Sequence, residues 1–415
     1  MPDTAIPALP AFDSTWAFFS DPYRFISRHC RALNTDVFQT RLLLAPTLCL
    51  TGPRAAELFY DSSRFQRHGA APEPLQATLF GKRAVQSLDG PAHTQRKALF
   101  MDVLDPAGVA GLAQHVGQQW PAALARWPHT GVPLYQATHD VLMRAVCAWA
   151  GVDLPQDQLR LRTRQMVALF DDAARGPFAH GYARWARKRL QAWLAAQIEQ
   201  ARLRHAAPIA CPPLQQVARY RDTHGQLLDA GLAATELLNL LRPVVAVSVY
   251  IVFGVHAMQS HPHVPRPQLE PAGGVGLDFL NEVRRYYPFF PALMATVSDD
   301  FEWRGYRFAR GTRTLLDLYG CNHDPRVWND PDRFDPGRFR ARTPTPYEFI
   351  PQGGADAAHG HRCPGEDTAL AIMKISLDFL WAHTRCTPTS PDLGLDYRRL
   401  PALPRCGFMV EAQSP

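Results

Sequence analysis

Residues 349–366 read Phe-Ile-Pro-Gln-Gly-Gly-Ala-Asp-Ala-Ala-His-Gly-His-Arg-Cys-Pro-Gly-Glu, and no other stretch restricts this chain as strongly. A glycine-rich loop leads to one cysteine, Cys363, then to Pro364-Gly365 and an apolar pattern of helical period. Glycines let the backbone approach closely. N–H groups aimed at the sulfur, and the positive end of the following helix, stabilise a thiolate. Three readings stand side by side. A lone cysteine is commonly a small buried hydrophobe. With His359 and His361 it could hold zinc, although no second CxxC or HxxxH cluster completes four ligands. A thiolate with an open opposite face is also what haem iron needs to break an O–O bond.

Composition narrows the class. The chain has 415 residues, 46% hydrophobic and 20% charged, ordinary for a globular protein. Its eight cysteines have no framework spacing, which predicts reduced thiols and a cytoplasmic setting. The N-terminus lacks a basic segment followed by an apolar one, so no signal peptide is expected. The longest apolar run, Val244–Phe253, is interrupted at Ser248 and Tyr250 and is too short for a membrane span. A net charge of +6 with no basic block argues against nucleic acid.

Helical periodicity predominates, at 104–128, 134–150, 156–172, 180–205, 229–259, 276–286 and 365–383. Short strands are expected near Val37–Arg41, Thr47–Thr51, Ala295–Val297, Tyr306–Phe308 and Thr314–Leu318, with loops at Pro208–Pro213 and Pro262–Pro271. The expectation is a mainly α fold with small β-sheets and no linker between two cores, hence one domain over 1–415.

Three further features flank the cysteine loop. Glu282 and Arg285 lie at i, i+3 on one helix face. An irregular Pro/aromatic segment runs from Trp328 to Phe339. Upstream, His93, Arg96 and Lys97 offer cationic donors at helical spacing. In this order and spacing the set resembles the cytochrome P-450 superfamily across essentially the whole chain. The resemblance implies a Glu-x-x-Arg motif at Glu282 and Arg285, a meander at Trp328–Phe339, and haem b between a long central helix and the cysteine loop. Cys363 would be the axial ligand, and His93, Arg96, Lys97 and Arg362 would attend the haem.

The central helix departs from that superfamily's usual pattern. Oxygen-activating members carry an acid–alcohol pair at its middle, whereas no Asp, Glu or Thr lies between Leu240 and Val247 here. Arg242-Pro243 stands there instead. Proline removes an N–H and predicts a kink at this point. An arginine in an apolar helix is costly to bury unpaired, so it either reaches the surface, pairs with a structural acid, or awaits an anionic ligand. A substrate carboxylate could dock on it bidentately and shuttle protons in place of the missing pair.

Arg242-Pro243 with Gln352-Gly353-Gly354 and Gly360-His361-Arg362-Cys363-Pro364-Gly365-Glu366 is similar to the bacterial fatty-acid peroxygenases. That family uses hydrogen peroxide to hydroxylate long-chain fatty acids at the α or β carbon, and some members decarboxylate them to terminal alkenes. The resemblance implies carboxylate binding by Arg242, pocket shaping by Pro243, and a distal wall of Phe80, Gln86, Phe289 and Phe290. Glutamine at position 86 leans towards hydroxylation. No obligatory redox partner is implied. Ala355 replaces a usual glycine, Phe290 a usual glycine and Ala292 a usual aromatic, which predicts a channel narrowed at Phe290 and widened at Ala292. The basic, aromatic segment Phe178–Arg189 is either a solvated helix face or a cover over the substrate entrance. A reductase-fed monooxygenase and a non-catalytic haem sensor remain as the competing readings.

Overall fold

The computed structural model describes residues 5–203, 211–261 and 274–413. Helices predominate, and the expected periodic segments become Pro106–Leu124, Leu134–Ala150, Leu159–Asp171, Pro177–Leu203, Leu277–Tyr286 and Glu366–His383. Their ends follow local chemistry. Asp105 accepts from the Gly108 N–H at 2.6 Å to start the first of them, and Gly151 at φ 70° ends the second. The loop expected at 262–271 lies outside the described residues. So do 208–210 of the loop expected at 208–213, whose last residue begins the short helix Pro213–Arg219.

A helix not anticipated as an element, Gly90–Val103, begins with Asp89 at its N-cap position and Pro91 in the first turn, a common opening. The main sheet has five strands, ordered Val37–Leu42, Ala45–Leu50, Arg313–Asp317, Ala292–Val297 and Phe65–Gln66. Only the central pair, Ala45–Leu50 with Arg313–Asp317, is parallel. A second sheet of Val132–Pro133, Phe408–Ala412 and Thr384–Pro388 was not foreseen, because sequences such as Thr-Arg-Cys-Thr-Pro do not alternate.

The segment expected as one helix over 229–259 forms Ala230–Ala246 and Ser248–Ser260, started by Asp229 accepting from the Leu232 N–H at 2.8 Å. The expected kink at Pro243 is not where the interruption falls. The helix runs through the proline, which forfeits a single bond to the Asn239 carbonyl, and breaks at Val247. There the amide is shared between the carbonyls of Pro243 and Val244, both at 3.2 Å. By length and composition Ala230–Ser260 could cross a membrane, yet 94% of its apolar window is buried inside the protein. From Ala233 to Ala257 the one exposed residue is Pro243.

Glu282 and Arg285 are fully buried and paired twice, at 2.7 and 2.8 Å. Arg285 also donates to the carbonyls of Asn322 and Pro331, both at 2.9 Å, while Glu282 accepts from the Asp335 N–H at 2.7 Å. A pair that would be worth little at the surface thus fastens the Trp328–Phe339 segment to the helix Leu277–Tyr286.

Candidate active site

Arg242 decides the character of the central cavity. Its residue is 6% exposed, and no carboxylate pairs with it among the described residues. Its guanidinium donates to the Leu79 carbonyl. Burial, and then the like charge of Arg187, pulls it down to about 9, which leaves it protonated at neutral pH. It neither reaches the surface nor meets a structural acid.

The cavity, about 260 Å³, is walled mainly by apolar side chains. Arg242, Pro243, Phe80, Gln86, Phe289 and Phe290 all line it, as do Cys363, Arg362, His93 and Lys97. Phe80 ends a π-helical turn, Gln76–Phe80, and Gln86 lies on the 3-10 turn Val85–Ser87. Asn239, one turn before Arg242, donates to the Phe80 carbonyl at 3.0 Å and to Gln86 Oε1 at 3.3 Å. It therefore ties both turns to the central helix. Phe289 stacks on Tyr250 at 4.5 Å and meets Phe290 edge-on at 4.6 Å.

Arg96 is not on the cavity wall. It pairs with buried Glu236 at 2.6 Å and lies over the Tyr220 ring. Lys97 donates to the carbonyls of Gly360 and Arg362, at 3.0 and 2.5 Å, bracing the cysteine loop from behind. His93 stacks on His361 at 4.0 Å. Arg362 donates to Glu366 at 2.6 Å, and Arg284 pairs with the same carboxylate. Ala292 corrects an expectation: strand alternation turns Leu293 towards the cavity and Ala292 towards Phe18 and Phe25, so it widens no channel. Phe178–Arg189 opens the helix Pro177–Leu203 and lines none of the cavity. Phe178 is exposed there, whereas Arg187 is buried.

Three functional neighbours escaped sequence reasoning. Arg187 donates to the carbonyls of Thr78, Leu79 and Phe80 at 2.9, 3.2 and 3.0 Å, pinning the turn that supplies the Arg242 acceptor. Glu236 accepts from Arg96 and from the Val85 N–H at 3.1 Å. Asn239 is the third. Glu236 and Asn239 share the helix with Arg242 at its upstream turns, and that spacing was a usable signal. Arg187 comes from a distant helix and gave none.

Of the eight cysteines, Cys363 alone lines the cavity. Burial pushes its thiol up, while the Gly365 N–H and the Lys97 and Arg284 cations favour the thiolate. The Cys363 N–H donates to the Gln352 carbonyl at 3.1 Å, closing the loop. A Cβ added at Gly353, where φ is +99°, would sit 2.9 Å from the Tyr60 hydroxyl and 3.3 Å from the Arg362 Cα, so the loop's tight path demands glycine. One buried thiol faces an apolar chamber and is backed by cations, which fits a haem-thiolate site. His359 instead pairs with Asp356 at the surface, and no cluster of three metal-binding side chains occurs among the described residues.

A family model described as cytochrome P450 matches residues 278–381. A putative cytochrome P450 132 of Mycobacterium tuberculosis is 37% identical over 107 residues, 25% of this chain and 22% of that protein. The match thus spans about a fifth of that curated relative. Solved structures align over almost all of both chains. Cytochrome P450EX alpha (CYP152N1) with myristic acid is 37% identical, covering 99% of this chain and 100% of that one at a TM-score of 0.93. A variant of cytochrome P450SP alpha (CYP152B1) is 43% identical, covering 97% and 100% at 0.90. Ligand-free cytochrome P450 OleT is 30% identical, covering 99% and 100% at 0.92. With Cys363 and Arg242 facing one chamber, the chain belongs to the cytochrome P450 superfamily and, within it, to the CYP152 fatty-acid peroxygenases, which are haem-thiolate enzymes.

Proposed function

We propose that the protein uses hydrogen peroxide to hydroxylate long-chain fatty acids beside the carboxyl group, with alkene formation as a secondary outcome. The observation that carries this reading is the buried guanidinium of Arg242, held without a carboxylate partner among the described residues in a chamber shared with Cys363. Haem ligated by Cys363, when bound, supplies oxygen transfer from peroxide.

The chain's own residues do the rest. Arg242 takes the substrate carboxylate, recovering part of its desolvation cost through charge-assisted hydrogen bonds. Asn239 and Arg187 keep the Leu79–Phe80 turn in place around it. Phe80, Phe289 and Phe290 surround the alkyl chain and exclude water, which strengthens every electrostatic contact inside. Anchoring the carboxylate sets its neighbouring carbons closest to the reacting oxygen, so attack at α or β follows from tethering. The bound carboxylate accepts a proton from one peroxide oxygen and returns it to the other, the work that no side chain between Leu240 and Val247 is equipped to do. Gln86, an uncharged amide held by Asn239, supports hydroxylation as the main course.

No obligatory redox partner is proposed, since peroxide brings both oxygen and oxidising equivalents. Eight free cysteines support a reducing, cytoplasmic setting, and the whole of 1–415 is read as one domain. The test is incubation of purified holoprotein with hydrogen peroxide and myristic acid, with products identified by mass spectrometry. Hydroxy acids formed without a reductase are expected. Turnover only with dioxygen and a reductase, or undiminished turnover by Arg242→Ala, would overturn the proposal.

A further inference from the structure

Two buried cations meet on one neutral oxygen. Arg242, from the helix Ala230–Ala246, and Arg187, from the helix Pro177–Leu203, both donate to the Leu79 carbonyl. The two residues are 6% and 3% exposed, and neither forms an ion pair among the described residues. Glu236 offsets part of the Arg187 charge, but it is itself held by Arg96 at 2.6 Å and by the Val85 N–H at 3.1 Å. Arg96, Arg187 and Arg242 thus stand against one carboxylate, which leaves two positive charges in excess around the Leu79–Phe80 turn.

Holding the turn does not account for the charge on Arg187. Its guanidinium donates to the carbonyls of Thr78, Leu79 and Phe80, and its Nε has no partner. Neutral amide donors serve carbonyls as well, whereas a buried cation adds a desolvation cost that neutral acceptors do not offset. The fold nevertheless makes room for it. Gly81 sits at φ 90°, and a Cβ there would fall on the guanidinium. Arg187 lines none of the cavity, so it does not touch a ligand itself.

We infer that Arg187 is a positioning residue for substrate recognition: acting through Arg242, it makes the chamber select a carboxylate head group over a neutral one. Two effects add. Sharing the Leu79 carbonyl divides one dipole between two guanidinium groups, so Arg242 keeps more of its capacity to bind an anion. The second charge also reaches a carboxylate on Arg242 without contact, because the surroundings have a low dielectric constant. Burial first, and the Arg187 charge next, lower the Arg242 guanidinium, the direction expected for two cations with no acid between them. The assignment rests on the fatty-acid reading and adds to it the residue that sets how strictly an acid is demanded.

The test is isothermal titration calorimetry of the holoenzyme with lauric acid and with its amide, which share one alkyl chain and differ in charge. The wild type is expected to prefer the acid by about tenfold or more. Arg187→Gln keeps amide donors for the turn and removes the charge. Its acid affinity should fall about tenfold while its amide affinity stays within about twofold. Arg187→Lys keeps the charge, loses the planar fork, and should retain the wild-type preference. A merely structural Arg187 predicts the reverse, with Gln tolerated and Lys impaired for both ligands. Wild-type preference in Arg187→Gln, or its loss in Arg187→Lys, would overturn the inference, and the Lys variant decides alone if the Gln variant does not retain haem. A wild type indifferent to the head-group charge would instead overturn the fatty-acid reading itself.

Discussion

Replacing Arg242 with leucine should stabilise the protein and destroy its activity together. The guanidinium is pulled down to about 9, chiefly by burial, which corresponds to roughly 5 kcal/mol against the charged form. The sign is simple: a base lowered in the fold carries that penalty at every pH below about 9. Its bond to the Leu79 carbonyl returns about 1.5–3 kcal/mol, as hydrogen bonds to charged groups do. The net is a destabilisation of about 2–3.5 kcal/mol that Arg242→Leu removes. Thermal unfolding of the substrate-free holoprotein, followed by circular dichroism, should therefore move up by a few degrees. Adding a long-chain fatty acid at about 100 times its Kd should stabilise the wild type by about 2.7 kcal/mol and leave the variant unmoved. Peroxide-driven turnover should fall by about 10²–10⁴-fold, the usual contribution of positioned acid–base catalysis. A variant less stable than its parent, or one still shifted by fatty acid, would refute the claim that an unpaired cation is held there for a carboxylate.

Other expectations are more local. Ala355 sits at φ 63°, so Ala355→Gly should raise the urea midpoint by the equivalent of about 0.5–1 kcal/mol, with product distribution unchanged. Glu282→Gln leaves Arg285 buried without its counter-ion and should cost about 3–5 kcal/mol, seen as reduced haem content after purification and a lower unfolding midpoint. Burial pushes Asp317 up to about 7, against the opposing Gly320 and Ser27 hydrogen bonds and the Arg31 cation. A carboxyl raised in the fold makes stability fall as pH rises from 3.8 to about 7, by up to roughly 4 kcal/mol. Asp317→Asn should flatten that slope in denaturant titrations across the window, and an unchanged slope would exclude Asp317 as its source.

The chemistry of the site was more legible than its scaffolding. Cys363 and Arg242 could be read directly because each violates a local rule: a lone thiol in a glycine-rich loop, and a cation in an apolar helix. Such violations mark function. The Glu282–Arg285 spacing was visible, but its importance was not, since burial is a tertiary fact. Arg96 was assigned to haem because helical spacing says which residues share a face and not what that face meets; here it meets Glu236. Ala292 was expected to widen the channel because the resemblance puts an aromatic there, but which side of the strand it faces is set by pairing, and it faces away from the cavity. Arg187 was hidden in a basic, aromatic run that looks like solvated surface, and only the packing of its helix against the 76–80 turn reveals it.

One feature of the central helix bears on how its relatives can diverge. Between Ala233 and Ala257 every residue but Pro243 is sealed within the protein. Mutational drift on the exterior therefore has no handle on this helix, and most changes along it strain the core before they touch chemistry. New preferences for acyl length or oxidation position are therefore expected in the walls opposite, the 76–88 turns and the Phe289–Leu293 rim. Libraries aimed at those two segments should retune selectivity while leaving the anchoring machinery intact.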